Sequence, residues 1–193
     1  DIHNIGSFSE REDAVVEILR TVGLTPPENY MSRYPHEISG GQRQRVSIAR
    51  TLVMKPKFVV CDEPTSMLDV SIRISIMDLM LNLAKELDVS YLYITHDLAV
   101  ARYMCNRIAV MFNGKIVEIA ETEELLNNPI HPYTKRLISS IPIPDPSYKR
   151  ERYEMNFDEL DNIIQNNPNE KMVNIGSEHF VATHETKDFF IES

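Results

Sequence analysis

The chain has 193 residues, 42% of them hydrophobic, and its 29 acidic and 20 basic side chains give a formal net charge of −9. This is enough apolar sequence for one hydrophobic core with a small appendage. A net acidic chain without a basic cluster argues against nucleic acid as a partner, because binding to its backbone draws on lysine and arginine. No apolar run approaches the ~18 residues of a membrane span, so the sequence predicts at most a peripheral membrane role.

The first third of the chain predicts two helices on either side of a proline-rich loop. A serine–glutamate capping box at residues 9–12 is followed by apolar residues at helical spacing up to Gly23. Residues 24–37 contain three prolines and predict a loop with at most a short helix. Ser39 then opens a second helix, which ends before Pro56.

The middle of the chain alternates strands with helices. The wholly apolar run at residues 58–61 predicts a strand that is buried on both faces of a parallel sheet. A long amphipathic helix over 72–87 follows, and then a second strand at 91–95 and a helix over 99–104. This order of elements predicts an α/β fold with a parallel sheet.

An antiparallel hairpin and a short helix follow. Strands at 108–112 and 115–120 flank Asn113-Gly114, a dipeptide that favours a tight hairpin turn because both positions tolerate positive φ. Thr122 is expected to cap a short helix that has two glutamates in its first turn.

The last quarter of the chain has a different composition. Prolines alternate with other residues through 141–146 and predict extended chain, because each proline keeps its predecessor out of the helical region. Residues 145–193 hold 11 acidic and 5 basic side chains. We predict an acidic, partly ordered tail over 147–193, with one helix near 157–166.

Polar residues that could carry chemistry follow both predicted parallel strands. Asp62 and Glu63 end the first strand, at the sheet edge where open α/β proteins bind ligands. One carboxylate there can hold a hard cation such as Mg²⁺ while the other acts on water; two solvated acids at a strand end are the alternative. His96 follows the second strand and is expected to point into the same crevice, where it could donate to a phosphate, unless its role is structural.

A pair of glycines opens the second helix. Ser39-Gly40-Gly41-Gln42 lets backbone N–H groups approach an anion at the partially positive end of the helix. A loop that merely caps the helix is the alternative. The sequence therefore predicts an anion-binding or a capping role for this segment.

Together these segments resemble the ATP-binding subunits of ABC transporters. Residues 38–45, which read Ile-Ser-Gly-Gly-Gln-Arg-Gln-Arg, are similar to the signature motif of that family, and 58–63 to its Walker B strand with the catalytic glutamate that follows it. Residues 66–69 resemble the D-loop and His96 the switch histidine. The resemblance implies the C-terminal half of a P-loop NTPase core, with parallel strands and part of the helical subdomain.

A finer resemblance is to the oligopeptide/dipeptide (and nickel) importer branch. The run His131-Pro132-Tyr133-Thr134-Lys135 and the prolines of 142–146 look like the C-terminal extension of that branch. This implies an ATPase that energises uptake of oligopeptides or dipeptides across the cell membrane. A related importer for nickel or oligosaccharides, and an ABC ATPase without a transport role, are the alternatives.

The resemblance also implies a domain organisation. Residues 1–37 would be part of the helical subdomain and 38–125 the ATPase core. Residues 126–146 would be the importer-type extension, and 147–193 the acidic tail.

The resemblance implies a role for each candidate residue. Asp62 would hold Mg²⁺, Glu63 would act on the attacking water, and His96 would stabilise charge on the γ-phosphate of ATP. The D-loop positions are Ser66 and Asp69. The implied partners are a second ATPase subunit in a head-to-tail dimer and transmembrane permease subunits, at the cytoplasmic face of the membrane. The residues implied to bind the ATP of the second subunit are Ser39, Gly40, Gly41 and Gln42.

The Walker A loop, G-x-x-x-x-G-K-[ST], does not occur in the sequence. Only Gly114 precedes a lysine, and Ile116 follows that lysine. We therefore expect the chain to be a C-terminal portion of an ABC ATPase that is inactive alone. A catalytically incompetent fragment that acts only as an interaction module is the alternative reading of the same observation.

Overall fold

A computed structural model of the chain describes residues 6–141, 162 and 171–183. They belong to two compact units, Asp1–His96 and Asp97–Ser193. The described part of the first unit contains a two-stranded parallel sheet, and that of the second a four-stranded sheet. Among the described residues, no helix combines the length and the apolar composition needed to cross a membrane.

The first unit alternates helices and strands as predicted. A short 3-10 turn at Pro35–Glu37 precedes its third helix, and the two strands pair in parallel, with Val60 opposite Leu92 and Asp62 opposite Ile94. The elements in chain order are α1 (Phe8–Thr21), α2 (Glu28–Met31), α3 (Gly40–Leu52), β1 (Phe58–Asp62), α4 (Val70–Leu87) and β2 (Ser90–Ile94).

Helix α1 begins earlier than predicted. Ser7 is its N-cap: the Ser7 Oγ accepts from the Glu10 amide at 3.4 Å, and the Glu10 carboxylate accepts from the Ser7 amide at 2.6 Å. The bond from the Ser7 amide lowers the pKa of Glu10. The sequence contains two overlapping Ser-x-x-Glu boxes, and the prediction of a cap at Ser9 was wrong because the earlier box allows a longer helix.

The core of the first unit lies between the helices and one face of the β1–β2 sheet. The partly buried Val59 and Tyr91 pack on it from the strands. Each fully buried leucine or valine contributes about 1.5–3 kcal/mol relative to an exposed one, so this cluster anchors the two strands to the helices. The buried apolar side chains are Leu19, Val22, Leu24, Ala49, Leu52, Leu83 and Val89.

The opposite face of the β1–β2 sheet is exposed, so the prediction of burial on both faces was wrong. Phe58 and Val60 are 57% and 55% exposed, and Leu92 and Ile94 are nearly as exposed. A wholly apolar strand looks the same in sequence whether one or both of its faces are covered. Coverage is decided by which elements pack on each face, and here the core lies on one face.

The second unit is built around an antiparallel sheet of order β3-β4-β6-β5. The predicted Asn113-Gly114 turn is confirmed, with φ of 45° and 79° at the two residues. The elements in chain order are α5 (Leu98–Met104), β3 (Arg107–Phe112), β4 (Lys115–Glu121), α6 (Thr122–Asn127), α7 (Pro132–Ser139), β5 (Lys171–Gly176) and β6 (His179–Thr183).

Thr122 does not cap helix α6 as predicted. It is the first residue of the helix, and its N-cap, Glu121, makes no side-chain capping bond. The Thr122 hydroxyl instead donates to the carbonyl oxygen of Cys105 at 2.6 Å. A nearby tertiary acceptor has replaced the local capping bond.

A hairpin in the C-terminal part of the chain was missed by the sequence analysis. Strand β6 pairs with β4, with Glu118 opposite Val181 and Ile119 opposite Phe180. The predicted partly ordered tail over 147–193 therefore contains two strands at 171–183 that the sequence analysis did not foresee. The predicted extended segment at 142–146 and, apart from residue 162, the predicted helix near 157–166 lie outside the described residues.

A buried hydrogen bond between His179 and Glu118 ties strand β6 to β4. The wholly buried Glu118 accepts at Oε1 from the His179 ring at 2.7 Å and from the Ile130 amide at 2.8 Å, and at Oε2 from the His131 amide at 3.0 Å. The other ring nitrogen of His179 lies 3.5 Å from the Glu124 carboxylate. Glu118 therefore joins β4, β6 and the start of α7 through one carboxylate.

Candidate functional site

The parallel register brings the two predicted strand ends to one edge of the sheet. Asp62 pairs with Ile94, and the Glu63 amide donates to the Ile94 carbonyl oxygen at 3.0 Å. Nδ1 of His96 lies 2.8 Å from Oε1 of Glu63. The structure thus brings together the carboxylate and the imidazole that were expected to share a crevice.

The backbone of Glu63 adopts a conformation that is costly for its residue type. Its φ is 42°, in the left-handed region, and Pro64 follows it. Such a position costs of order 1–3 kcal/mol and persists only where its surroundings enforce it. The amide and the hydroxyl of Ser66 both donate to the Glu63 carbonyl oxygen, at 3.3 and 3.0 Å. This turn directs the Glu63 side chain towards His96.

The contact between Glu63 and His96 is open to solvent. Their side chains are 44% and 75% exposed. An ionised carboxylate only accepts, so Nδ1 of the ring carries the proton in this contact and Nε2 remains for a further partner. An exposed pair of this kind contributes at most about 1 kcal/mol to stability, so its geometry contributes little to holding the fold together.

Asp62 lies exposed at the end of β1, next to Glu63. Carboxylates are the hard oxygen donors that Mg²⁺ prefers, and proteins usually hold Mg²⁺ through one or two of them together with phosphate oxygens. Within the described residues, no group of three or more His, Cys, Asp or Glu side chains could hold a metal ion. The exposed Asp62 carboxylate fits a cation that is bound jointly with phosphate oxygens.

The segment from Ser39 to Gln42 begins helix α3 with a complete capping box. The Gln42 amide donates to Ser39 Oγ at 3.3 Å, and the Ser39 amide donates to Gln42 Oε1 at 2.9 Å. The Arg43 amide donates to the Ser39 carbonyl oxygen. Within the described part of the chain, the amides of Gly40 and Gly41 have no hydrogen-bond partner, as is usual for a helix start. This geometry is compatible with both roles that the sequence allowed for the segment, anion binding and helix capping.

The two glycines of this segment meet different surroundings. A Cβ on Gly41 would lie 2.8 Å from Cγ2 of Ile72 in α4, closer than real side chains approach. A Cβ on Gly40 would meet only ordinary contacts, 3.8 Å from Leu68 and 3.9 Å from Arg43. Gly41 is therefore required for packing, whereas space permits a larger residue at position 40.

We predict that Gly41→Ala lowers the free energy of unfolding by about 1–3 kcal/mol, because Ile72 is β-branched and adapts poorly to overpacking. Gly40→Ala is the matched control and should change it by less than about 0.5 kcal/mol. Urea unfolding of both variants measures the difference. Equal losses in the two variants would contradict the packing role of Gly41.

The two D-loop candidates lie in the turn between β1 and α4. Ser66 makes the two bonds to the Glu63 carbonyl oxygen described above. Asp69 is the N-cap of α4, and its carboxylate accepts from the Ile72 amide at 3.1 Å. Both positions therefore have a local structural contact. Only Ser66 also touches a candidate catalytic residue.

The structure adds two residues that the sequence analysis did not single out. Thr65 is only 4% exposed, and its Oγ1 shares a hydrogen bond of 3.0 Å with the Tyr93 hydroxyl. A threonine after an acid pair and a tyrosine within a strand have no distinctive pattern. Their contact depends on strand register, so no local signal could have found it.

A cavity of about 420 Å³ lies beside the end of β1. Residues of α3, of β1 and of the turn after it line the cavity, among them Gly40, Arg43, Asp62 and Glu63. Cys61 also lines it, and burial raises the pKa of its thiol to about 11, so the thiol stays protonated and is a poor nucleophile. Among the described residues that line it, the cavity therefore offers one guanidinium and two carboxylates as charged groups.

Solved structures place this fold among the ATP-binding cassettes. The chain is similar to cbiO1 from Clostridium perfringens, part of the ABC transporter complex cbiONQ, with a TM-score of 0.58 and 30% identity over 66% of this chain and 49% of that one. It is also similar to MJ1267, an ATP-binding cassette of an ABC transporter in its ADP conformation, with a TM-score of 0.56 and 29% identity over 65% and 49%. The fold class predicted from the sequence is confirmed.

Sequence comparison supports the resemblance. Residues 3–66 match the model of the ABC transporter family and residues 117–172 that of the oligopeptide/dipeptide transporter C-terminal region, which confirms the resemblance. The oligopeptide transport ATP-binding protein AmiF of Streptococcus pneumoniae is 56% identical over 143 residues, which cover 74% of this chain and 46% of that protein. The oligopeptide transport ATP-binding protein OppF of Bacillus subtilis is 45% identical over 188 residues, which cover 97% and 61%. The chain spans about half the length of the curated relatives it matches.

Proposed function

We propose that this chain is part of the ATP-binding subunit of an ABC importer, which hydrolyses ATP to energise uptake of oligopeptides or dipeptides across the cell membrane. The observation that carries the proposal is the 2.8 Å contact between Glu63 and His96 at the ends of two parallel strands. The relatives named as oligopeptide transport ATP-binding proteins support the peptide class of the solute.

In this proposal the acid pair and His96 act on one triphosphate. Glu63 orients the attacking water and takes its proton, and the strained turn and His96 hold its carboxylate in place. Nε2 of His96 faces the developing charge on the γ-phosphoryl oxygens. Asp62 would hold Mg²⁺, which when bound neutralises charge on the phosphates.

The start of helix α3 serves the ATP of a second subunit in a head-to-tail dimer. The Gly40 amide and the helix dipole would stabilise phosphate charge there. The residues proposed for this second site are Ser39, Gly40, Gly41 and Gln42, with Ser66 and Asp69 in the adjoining D-loop. Transmembrane permease subunits are the other proposed partners, with the ATPase bound peripherally at the cytoplasmic face.

The same proposal assigns segments to the parts of such a subunit. Residues 1–37 belong to the helical subdomain, 38–125 to the ATPase core and 126–146 to the importer-type extension. The acidic tail occupies 147–193.

A fusion protein tests the proposed function. The part of the Streptococcus pneumoniae relative that precedes its match to this chain is joined to all 193 residues, and phosphate release from Mg-ATP is measured. We expect the fusion to hydrolyse ATP and the unfused chain, which has no Walker A sequence, to do so at no measurable rate. A fusion that binds ATP without turnover would contradict the enzymatic assignment. Micromolar binding of ATP by the unfused chain would contradict our placement of the nucleotide.

A further inference from the structure

We propose that Tyr93, acting through Thr65, is a positioning residue that holds the turn carrying Glu63. The inference rests on the proposed hydrolysis of ATP at Glu63. It assigns a role to the hydrogen bond between the Thr65 and Tyr93 side chains, which belong to none of the motifs described above.

The turn after β1 needs an external support. Glu63 occupies a left-handed conformation before a proline, and the bonds from Ser66 to its carbonyl oxygen lie within the turn itself. Local bonds of this kind move with the turn, so they do not fix its orientation relative to the sheet. A bond from the turn to a neighbouring strand does.

Two hydrogen bonds among the described residues link this turn to β2. The first is the backbone bond from the Glu63 amide to the Ile94 carbonyl oxygen, and the second is the side-chain bond between Thr65 and Tyr93. Tyr93 lies in β2, three residues before His96, so its bond ties the Glu63 turn to the strand that leads to the imidazole. Because Thr65 is almost wholly buried, its hydroxyl depends on Tyr93 in place of water.

The same strand contains a natural control. Tyr91 lies two residues before Tyr93 and therefore on the same face of β2. Its hydroxyl is buried without a hydrogen-bond partner among the described residues, and burial raises its pKa to about 12. Removing that hydroxyl breaks no hydrogen bond within the described part of the chain, whereas removing the hydroxyl of Tyr93 leaves Thr65 without its partner.

The kinetic test uses the fusion protein. We expect Tyr93→Phe and Thr65→Val each to lower kcat for ATP hydrolysis by ~10–100-fold with KM unchanged, because misplacing a catalytic group by about 1 Å costs that much. Thr65→Ser keeps the hydroxyl and should restore most of kcat. Tyr91→Phe should stay within about twofold of the unsubstituted protein. A normal kcat in Tyr93→Phe would overturn the proposal.

A double variant separates positioning from stability. Thr65→Val combined with Tyr93→Phe removes both polar groups, so the thermal stability lost in either single variant should largely return while kcat stays low. Recovery of kcat together with stability would show that the bond is merely structural and would overturn the proposal.

A measurement on the unfused chain keeps the inference distinct from the proposed function. Amide hydrogen exchange at Glu63 and Ser66 should become at least about tenfold faster in Tyr93→Phe and stay unchanged in Tyr91→Phe. If the unsubstituted fusion shows no turnover, the proposed function fails and the exchange data still decide whether Tyr93 holds the turn. Unchanged exchange in Tyr93→Phe would overturn the inference whatever the fusion does.

Discussion

Replacing Glu63 by glutamine is expected to lower kcat for ATP hydrolysis in the fusion protein by ~10²–10³-fold while Mg-ATP still binds. Glutamine has nearly the same shape as glutamate and can occupy the same turn. It cannot take a proton from water, and it weakens the contact with Nδ1 of His96. Phosphate release in single turnovers measures hydrolysis, and equilibrium binding of Mg-ATP measures affinity.

Glu86→Gln is the matched control for that experiment. Glu86 is exposed near the C-terminal end of α4 and makes no described hydrogen bond or ion pair, so the same change of charge there should leave turnover and binding unaltered. Comparable losses in the two variants would point to a general effect of charge. Unchanged turnover in Glu63→Gln would remove Glu63 from the proposed role.

Replacing His179 by leucine is expected to cost the second unit about 1–3 kcal/mol of its free energy of unfolding, because the buried Glu118 carboxyl loses its side-chain hydrogen-bond donor. Glu118 would keep the amides of Ile130 and His131 as donors but would lose the shortest of its bonds. A chain of two units need not unfold in one step, so a global signal does not isolate the second unit. Urea unfolding is therefore monitored by amide exchange in β6 and α7, which belong to this unit.

The exposed ion pair between Arg107 and Glu178, the residue before His179, supplies the control. Arg107 and Glu178 lie 3.4 Å apart with side chains 47% and 78% exposed, so Glu178→Gln should cost less than about 1 kcal/mol. Combining Glu118→Leu with His179→Leu should not restore stability, because the two amides at the start of α7 would then lack an acceptor. If His179→Leu costs no more than Glu178→Gln, the buried pair does not hold the hairpin.

The residues of the candidate site could be predicted from the sequence because they lie at the ends of local elements. Asp62, Glu63 and His96 each follow a short apolar run, and parallel strands bring their carboxyl ends to one edge whatever their exact bounds. The start of α3 and the Asn113-Gly114 turn also obey rules that span four residues or fewer. Errors of one or two residues in the elements therefore did not move these predictions.

The misses have two physical origins. At Ser7 and Thr122 a second local or tertiary bond competed with the expected cap, and the pattern does not show which bond is stronger. Residues 171–183 were missed because their pairing with β4 joins segments about 60 residues apart. The sequence contains both halves of such a contact but not the geometry that joins them.

The sequence by itself determined the order of strands and helices, the residues at the strand ends and the family resemblance, since each depends on short motifs and their order along the chain. Only the tertiary structure decided that Glu63 contacts His96, that Tyr93 contacts Thr65 in the turn beside them and that one face of the first sheet is exposed. Those features depend on strand register, on a strained φ angle and on which elements pack together. Such features arise from contacts between side chains that are distant in sequence, and these contacts form only when the core packs and excludes water.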